Sequence, residues 1–304
     1  MKTPAKLAVV AFGDKGFLST KLRKWTTSTK LHYKKWFRLI KQLNRAAMEV
    51  LAAVEANPEK NQELCSALLY RRALQTFQGS ILLAERGMIA DAFTLVRSCA
   101  ETAIALGCFA ADENFIDRLF ESDANHRLTY ANVILGDEYL RESLTSEELG
   151  HLEEVRSAVN RKYPDRPKGI NWADTAKDAQ MPVLYNMIYR AISGGATHVT
   201  INALDRHVLA TGGGQPLPYP NALGGKSVRQ SLTLTFQPET CDLVQCLSGA
   251  TSAILHALDA LGRIFPQKGI EPFGKNSWAG PSFSGGSLDE FESINLPDAG
   301  EATL

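Results

Sequence analysis

Apolar residues between Lys30 and Glu55 fall at Leu31, Trp36, Leu39, Ile40, Leu43, Ala47, Val50 and Leu51, with Lys34, Lys35, Arg38, Lys41 and Arg45 between them. This spacing is close to 3.6 residues and predicts an amphipathic helix that stops at Asn57-Pro58. Asn61–Arg86 and Ile89–Ala111 predict two longer helices. Only Arg86-Gly87-Met88 separates them, and Gly87 suits a C-terminal cap, so the two form an antiparallel hairpin. Further helices are predicted over Asp112–Leu135 (capped by Asp112 or Asn114), Ser146–Arg161, Trp172–Ala179, Met181–Ser193, His198–Ala210 and Glu239–Ile264. Ser146 is the expected cap of its helix, followed by an acidic first turn. Leu232–Phe236 alternates with period two and allows at most one short strand or hairpin near 231–236. With no alternation of strands and helices, the pattern predicts an all-α multi-helix bundle built on a long antiparallel hairpin.

The 304 residues carry no net charge, and 44% hydrophobic with 22% charged residues is ordinary for a globular chain. The balance conceals a polarity. Residues 1–45 hold twelve Lys or Arg and one acid, Asp14, whereas Asp289, Glu290, Glu292, Asp298 and Glu301 follow the last base, Lys275. We expect a basic N-terminal arm over 1–29, a helical bundle domain over 30–265, and an acidic, Gly/Pro/Ser-rich disordered tail over 266–304. The arm and the first helix offer Lys21, Arg23, Lys24, Lys34, Lys35 and Arg38 to a nucleic acid or another anionic partner. Cys65, Cys99, Cys108, Cys241 and Cys246 are odd in number and form no C-x-x-C, which fits a reducing, cytoplasmic setting. The apolar run Leu7–Phe12 is too short for a span or a signal core. Leu64–Leu83 and Ile89–Ala111 are interrupted by Arg71, Arg72, Arg97 and Glu101, so we expect buried core helices and no transmembrane segment.

Arg97, Ser98, Glu101 and Thr102 lie inside the most apolar helix. Arg97 and Glu101 are i,i+4 neighbours, and a charge in that setting has to be paired or wet. A second cluster stands in YNMIYRAISGGATH: Tyr185, Tyr189 and Ser193 share a helical face, Arg190 adjoins them, and His198 follows Gly194-Gly195 near a predicted helix start. A Tyr/Arg/Ser/His group beside glycines suits phosphate or proton chemistry. His126, Arg127 and Tyr130 read as a surface ridge, with His126 a further network candidate. Glu148 and His151 have E-x-x-H spacing, but a di-metal bundle needs two such motifs and two more glutamates. No metal and no cofactor is expected, and no P-loop, dinucleotide or G-x-S-x-G motif is present.

The runs RSCAETAIAL (Arg97 to Leu106) and YRAISGGATH (Tyr189 to His198) resemble an uncharacterised all-helical bacterial family over about residues 35–262. The resemblance implies a helical bundle and a role in bacterial stress response or phage defence. It marks Arg97, Glu101, Tyr189, Ser193 and His198 as the centre. That family is loosely similar to HEPN-type helical ribonucleases, which use an Arg and a His close in sequence. There the two are separated by four to six residues, whereas Arg190 and His198 here have seven residues between them, two of them glycines.

Two functional readings follow. In the first, the protein is a helical effector or sensor acting by interaction, with long apolar helices that could face a second copy of itself, and its polar centre specifies packing. Alternatively it is a metal-independent nuclease or nucleotide-acting hydrolase, with His198 as acid or base, Arg190 or Arg97 stabilising phosphate charge, and Glu101 and Tyr189 positioning.

Overall fold

The computed structural model describes residues 7–10, 13–193, 208–211, 231–236, 238, 240 and 242–266. Its spine is the expected hairpin, α3 (Asn61–Ala84) and α4 (Ile89–Ala111). Gly87 adopts a left-handed φ of 77°. Its amide bonds to the Ala84 carbonyl, and that of Met88 reaches back to Leu83. This paired closure needs a residue without a Cβ penalty at Gly87.

Fourteen of the 23 residues of α4 are buried. Helix α3 covers one side, and the last helix, α10 (Leu243–Ile264), packs on both. Among the described residues α4 is the one helix long and apolar enough to cross a bilayer, yet most of it is enclosed by protein. Small residues allow this enclosure. Gly249 of α10 lies where an added Cβ would come 3.1 Å from Val96, and Gly79 of α3 where one would come 2.8 Å from Leu95.

The basic N-terminal region and the first helix are divided differently from the expectation. A 3-10 turn (Gly13–Leu18) leads into α1 (Leu22–His32), and α2 (Lys34–Ala53) starts after a kink at Tyr33. Residues 13–29 are thus largely helical, with Leu22 and Thr29 buried. Helix α2 lays Trp36, Phe37, Ile40, Leu43 and Ala47 on the bundle. The buried Tyr70 hydroxyl of α3 donates to the Ala47 carbonyl at 2.8 Å.

Helix α5 (Phe115–Gly136), a short α6 (Glu138–Glu142) and α7 (Ser146–Lys162) follow. Helices α5 and α7 close a satellite cluster of Ala124, Leu128 and Val159. The cap of α7 is Thr145 rather than Ser146. Its hydroxyl accepts from the Glu148 amide, and the Glu148 carboxylate accepts from the Thr145 amide, a complete capping box. Counting from Thr145 places Glu148 at the third helical position, which a Ser146 cap does not. Helix α6, absent from the periodicity, is a single turn capped by Asp137.

Helix α8 (Trp172–Asp178) and a short α9 (Pro182–Leu184) precede a π-helical turn over Tyr185–Arg190. A small sheet adds to the bundle, in the order β1 (Leu7–Val10), β3 (Ser231–Phe236), β2 (Val208–Thr211). Strand β3 is the extended segment expected near 231–236, and it pairs antiparallel with β2, Val208 opposite Leu234 and Thr211 opposite Ser231. Two pieces were not foreseen: Leu7–Val10 pairs parallel to β3, and Val208–Ala210 is strand rather than the end of a helix. Both are short apolar segments whose pairing partner is far away in sequence, and periodicity within a segment carries no information on such partners. The rest of the helix expected over 198–210, residues 198–207, and the tail over 267–304 lie outside the described residues.

Gly107 of α4 sits where a Cβ would meet Ala179 at 2.9 Å and Met181 at 2.8 Å, in the turn leading to α9. Replacing Gly107 with Ala forces that turn outward. We expect a loss of about 1–3 kcal/mol in unfolding free energy, read as a lower urea midpoint at constant m.

Candidate functional site

Arg97 and Glu101 lie one turn apart on the single stripe of α4 that α3 and α10 leave uncovered. The π-helical turn and α8 also pack against α4. The Arg97 Nη2 donates to the Tyr189 hydroxyl at 2.8 Å and stands 3.4 Å from Glu101 Oε1. The first distance is a good hydrogen bond; the second is an ion pair without one. The guanidinium carbon also lies 4.6 Å from the Tyr189 ring centroid, in cation–π range. The Arg97 Nε is buried and has no hydrogen-bond partner.

Around this contact is an aromatic wall. The Tyr185 and Tyr189 rings stack at 5.1 Å and 21°, and Trp172 lies 6.5 Å from Tyr189. A π-helical turn is wider than an α turn and brings i+4 almost over i, which suits ring stacking. Asn171 starts α8 with its side chain accepting from the Ala173 and Asp174 amides, and that cap sets the position of Trp172. Ser193 donates to the Tyr189 carbonyl at 2.5 Å, so its hydroxyl is used within its own turn. Thr102 likewise donates to the Ser98 carbonyl at 2.8 Å.

The centre is neither sealed nor deep: the side chains of Arg97 and Glu101 keep 19% and 27% of their exposure. Burial pushes the Glu101 carboxyl above the ordinary carboxylate range, against the pull of Arg97, the Tyr189 hydroxyl and Arg72. Burial also raises the Tyr189 phenol. Nearby thiols offer no nucleophile at neutral pH, since burial holds Cys99 up at about 12 and Cys108 at about 11.

The structure therefore brings together Arg97, Glu101, Tyr185 and Tyr189, with half-buried Ser98 and Ser193 at the margin. It does not bring in Arg190, which is exposed at the end of the turn, or His126, which is exposed on α5. His126 belongs to the ridge with Arg127, itself paired with Asp123 at 2.7 Å. His198 lies outside the described residues. Glu148 is held by its capping box at the start of α7, and among the described residues no group of three or more His, Cys, Asp or Glu is disposed to hold a metal. Lys21, Arg23, Lys24, Lys34, Lys35 and Arg38 are exposed on α1, α2 and the residue before α1.

Two members were missed. Trp172 reads from sequence only as a helix start. Arg72 was legible in principle: fifteen residues back from Gly87 reach Arg72, and fourteen forward reach Glu101. The same antiparallel count is borne out by the Cys99 thiol donating to the Ala73 carbonyl and the Gln62 amide to Phe109.

Because the folded protein holds the Glu101 proton more tightly than the unfolded chain does, the resulting stability is full below the unfolded value and is lost as pH rises through the folded one. The unfolding free energy of wild type minus that of Glu101→Gln is expected to fall as pH rises through and above the ordinary carboxylate range. Urea denaturation of both proteins across that range measures it; a flat difference contradicts the buried carboxyl. Tyr189→Phe leaves the Arg97 Nη2 without its acceptor and is expected to lower stability by about 1–3 kcal/mol.

No curated protein and no solved structure matches the chain. A model of the family of unknown function DUF5677 matches residues 63–215, just over half of the chain, from the start of α3 through the polar centre to the end of β2. The chain belongs to that family.

Proposed function

We propose that this protein is a bacterial, cytoplasmic helical effector or sensor that acts by interaction, in stress response or phage defence. The polar centre is its packing lock. It fixes the π-helical turn on α4. The observation that carries this reading is the use made of the Arg97 guanidinium. It is spent on the Tyr189 hydroxyl, the Tyr189 ring and Glu101, all within the protein. A guanidinium engaged by three groups of its own protein acts as a structural tie. The exposed cations of α1 and α2 then meet an anionic partner.

A second reading draws on the Glu101 carboxyl, which burial holds toward its protonated form beside a half-open surface. A carboxyl so placed suits general acid–base work. In that reading the protein is a metal-independent, ribonuclease-like hydrolase, loosely of HEPN type, with His198 and either Arg190 or Arg97 as its chemical groups.

The two readings separate in one assay. Wild type, His198→Ala and Glu101→Gln are incubated with end-labelled RNA and expressed in cells to score growth arrest, with circular dichroism as the check on folding. Under the interaction reading none cleaves RNA, and any growth effect survives in His198→Ala. Cleavage by wild type that disappears in folded His198→Ala overturns it in favour of the hydrolase.

A further inference from the structure

The outer face of α2 is electrostatically unfavourable to its own helix. Lys34, Arg38, Lys41 and Arg45 are all exposed and recur at intervals of four, three and four residues. At 100° per residue they fall within an arc of about 60°, and their axial spacing is about 6, 4.5 and 6 Å. Each is therefore the nearest helical neighbour of the next, and like charges at these intervals destabilise a helix by about 0.2–0.5 kcal/mol per pair. The first turn of α2 has no acid and opens with Lys34 and Lys35, opposing the helix dipole.

Other helices in the protein avoid this. Arg127 is paired with Asp123, Arg156 with Glu153, Lys177 with Asp174 and Arg263 with Asp259, each within one turn. Lys30 of α1 reaches across to Glu85 of α3. Among the described residues none of the four ladder cations has an ion-pair partner. The next exposed acid along the helix, Glu49, stands one turn beyond the end of the ladder.

We infer that this ladder on α2 is a docking face for the sugar–phosphate backbone of a nucleic-acid duplex, bound without sequence readout. The inference rests on the interaction reading and names the partner's chemistry. A row of single positive charges a few ångströms apart matches a polymer with one negative charge per unit, whose condensed counterions are released on contact. A membrane surface is disfavoured, because an interfacial helix inserts an apolar face. The apolar face of α2 is already committed to the bundle, and no exposed large apolar side chain lies between Leu31 and Met48. A single strand is disfavoured because no aromatic ring stands on the ladder to stack on bases: Trp36 and Phe37 are buried. Backbone contact with a duplex needs no stacking, and exposed Lys21, Arg23 and Lys24 extend the positive surface at the start of α1.

The test uses the full chain, a short random-sequence DNA duplex and fluorescence anisotropy over a series of salt concentrations. Wild type is expected to bind with a steep negative slope of log K against log salt. Replacing all four cations by Ala flattens that slope by about 3 to 4, Arg38→Ala alone flattens it by about 1, and Arg38→Lys leaves it unchanged. These positions are exposed, so the variants keep their helical circular dichroism. Failure of wild type to bind overturns the inference, as does an unchanged slope in the fourfold variant. Tighter binding to phosphatidylserine vesicles or to single-stranded oligonucleotide overturns it too. RNA cleavage by wild type would instead sink the interaction reading, and it is scored in a separate assay.

Discussion

A positive charge on a helix enclosed on nearly every side is the condition to which the centre of this protein answers. Arg97 keeps only 19% of its side-chain exposure, and leaving its guanidinium unpaired there would be costly. Glu101 alone does not satisfy it, since 3.4 Å across one turn is an ion pair without a hydrogen bond. The Tyr189 hydroxyl and ring add a hydrogen bond and a cation–π contact from 92 residues away. Because a tyrosine has to be held at hydrogen-bond distance from Arg97, the segment carrying it is pinned. The wide turn at Tyr185–Arg190, the stacked pair and the capped start of α8 are consistent with that demand.

The close packing behind the centre serves the same end. Gly79, Gly107 and Gly249 let α3, the α8–α9 turn and α10 approach α4 to distances at which a further methyl group would collide. A core of that density transmits displacement instead of absorbing it. The polar centre and the glycine contacts are thus one mechanical unit, and strain introduced at Gly107 would be expected to reach the turn that carries Tyr189. Helix α2 shows the opposite economy. Its inner face is consumed in packing, while its outer face leaves its charges to be answered by something else.

Much of this was legible along the chain. The α3–α4 hairpin, its turn at Gly87 and the bounds of α4 follow from an uninterrupted apolar period and one residue able to take a positive φ. The Arg97–Glu101 pair follows from i,i+4 geometry, and strand β3 from strict alternation. The capping box at Thr145 was also available, had the count begun one residue earlier. Arg72 was available from the hairpin's own register. Trp172 was not, because nothing within its segment points to a tyrosine seventeen residues later.

By itself the sequence determined what is local: helix periods, caps, the hairpin and the presence of an awkward charge on α4. These depend on neighbours within a turn or two, and their chemistry is written in order. Only the tertiary structure decided how the charge is met. It chose Tyr189 over Arg190, set His126 outside the centre, turned Leu7–Val10 into a strand and left Lys34, Arg38, Lys41 and Arg45 without an ion-pair partner among the described residues. Each of those outcomes depends on which distant segments come within a few ångströms of each other, and that is settled by burial and packing of the whole chain.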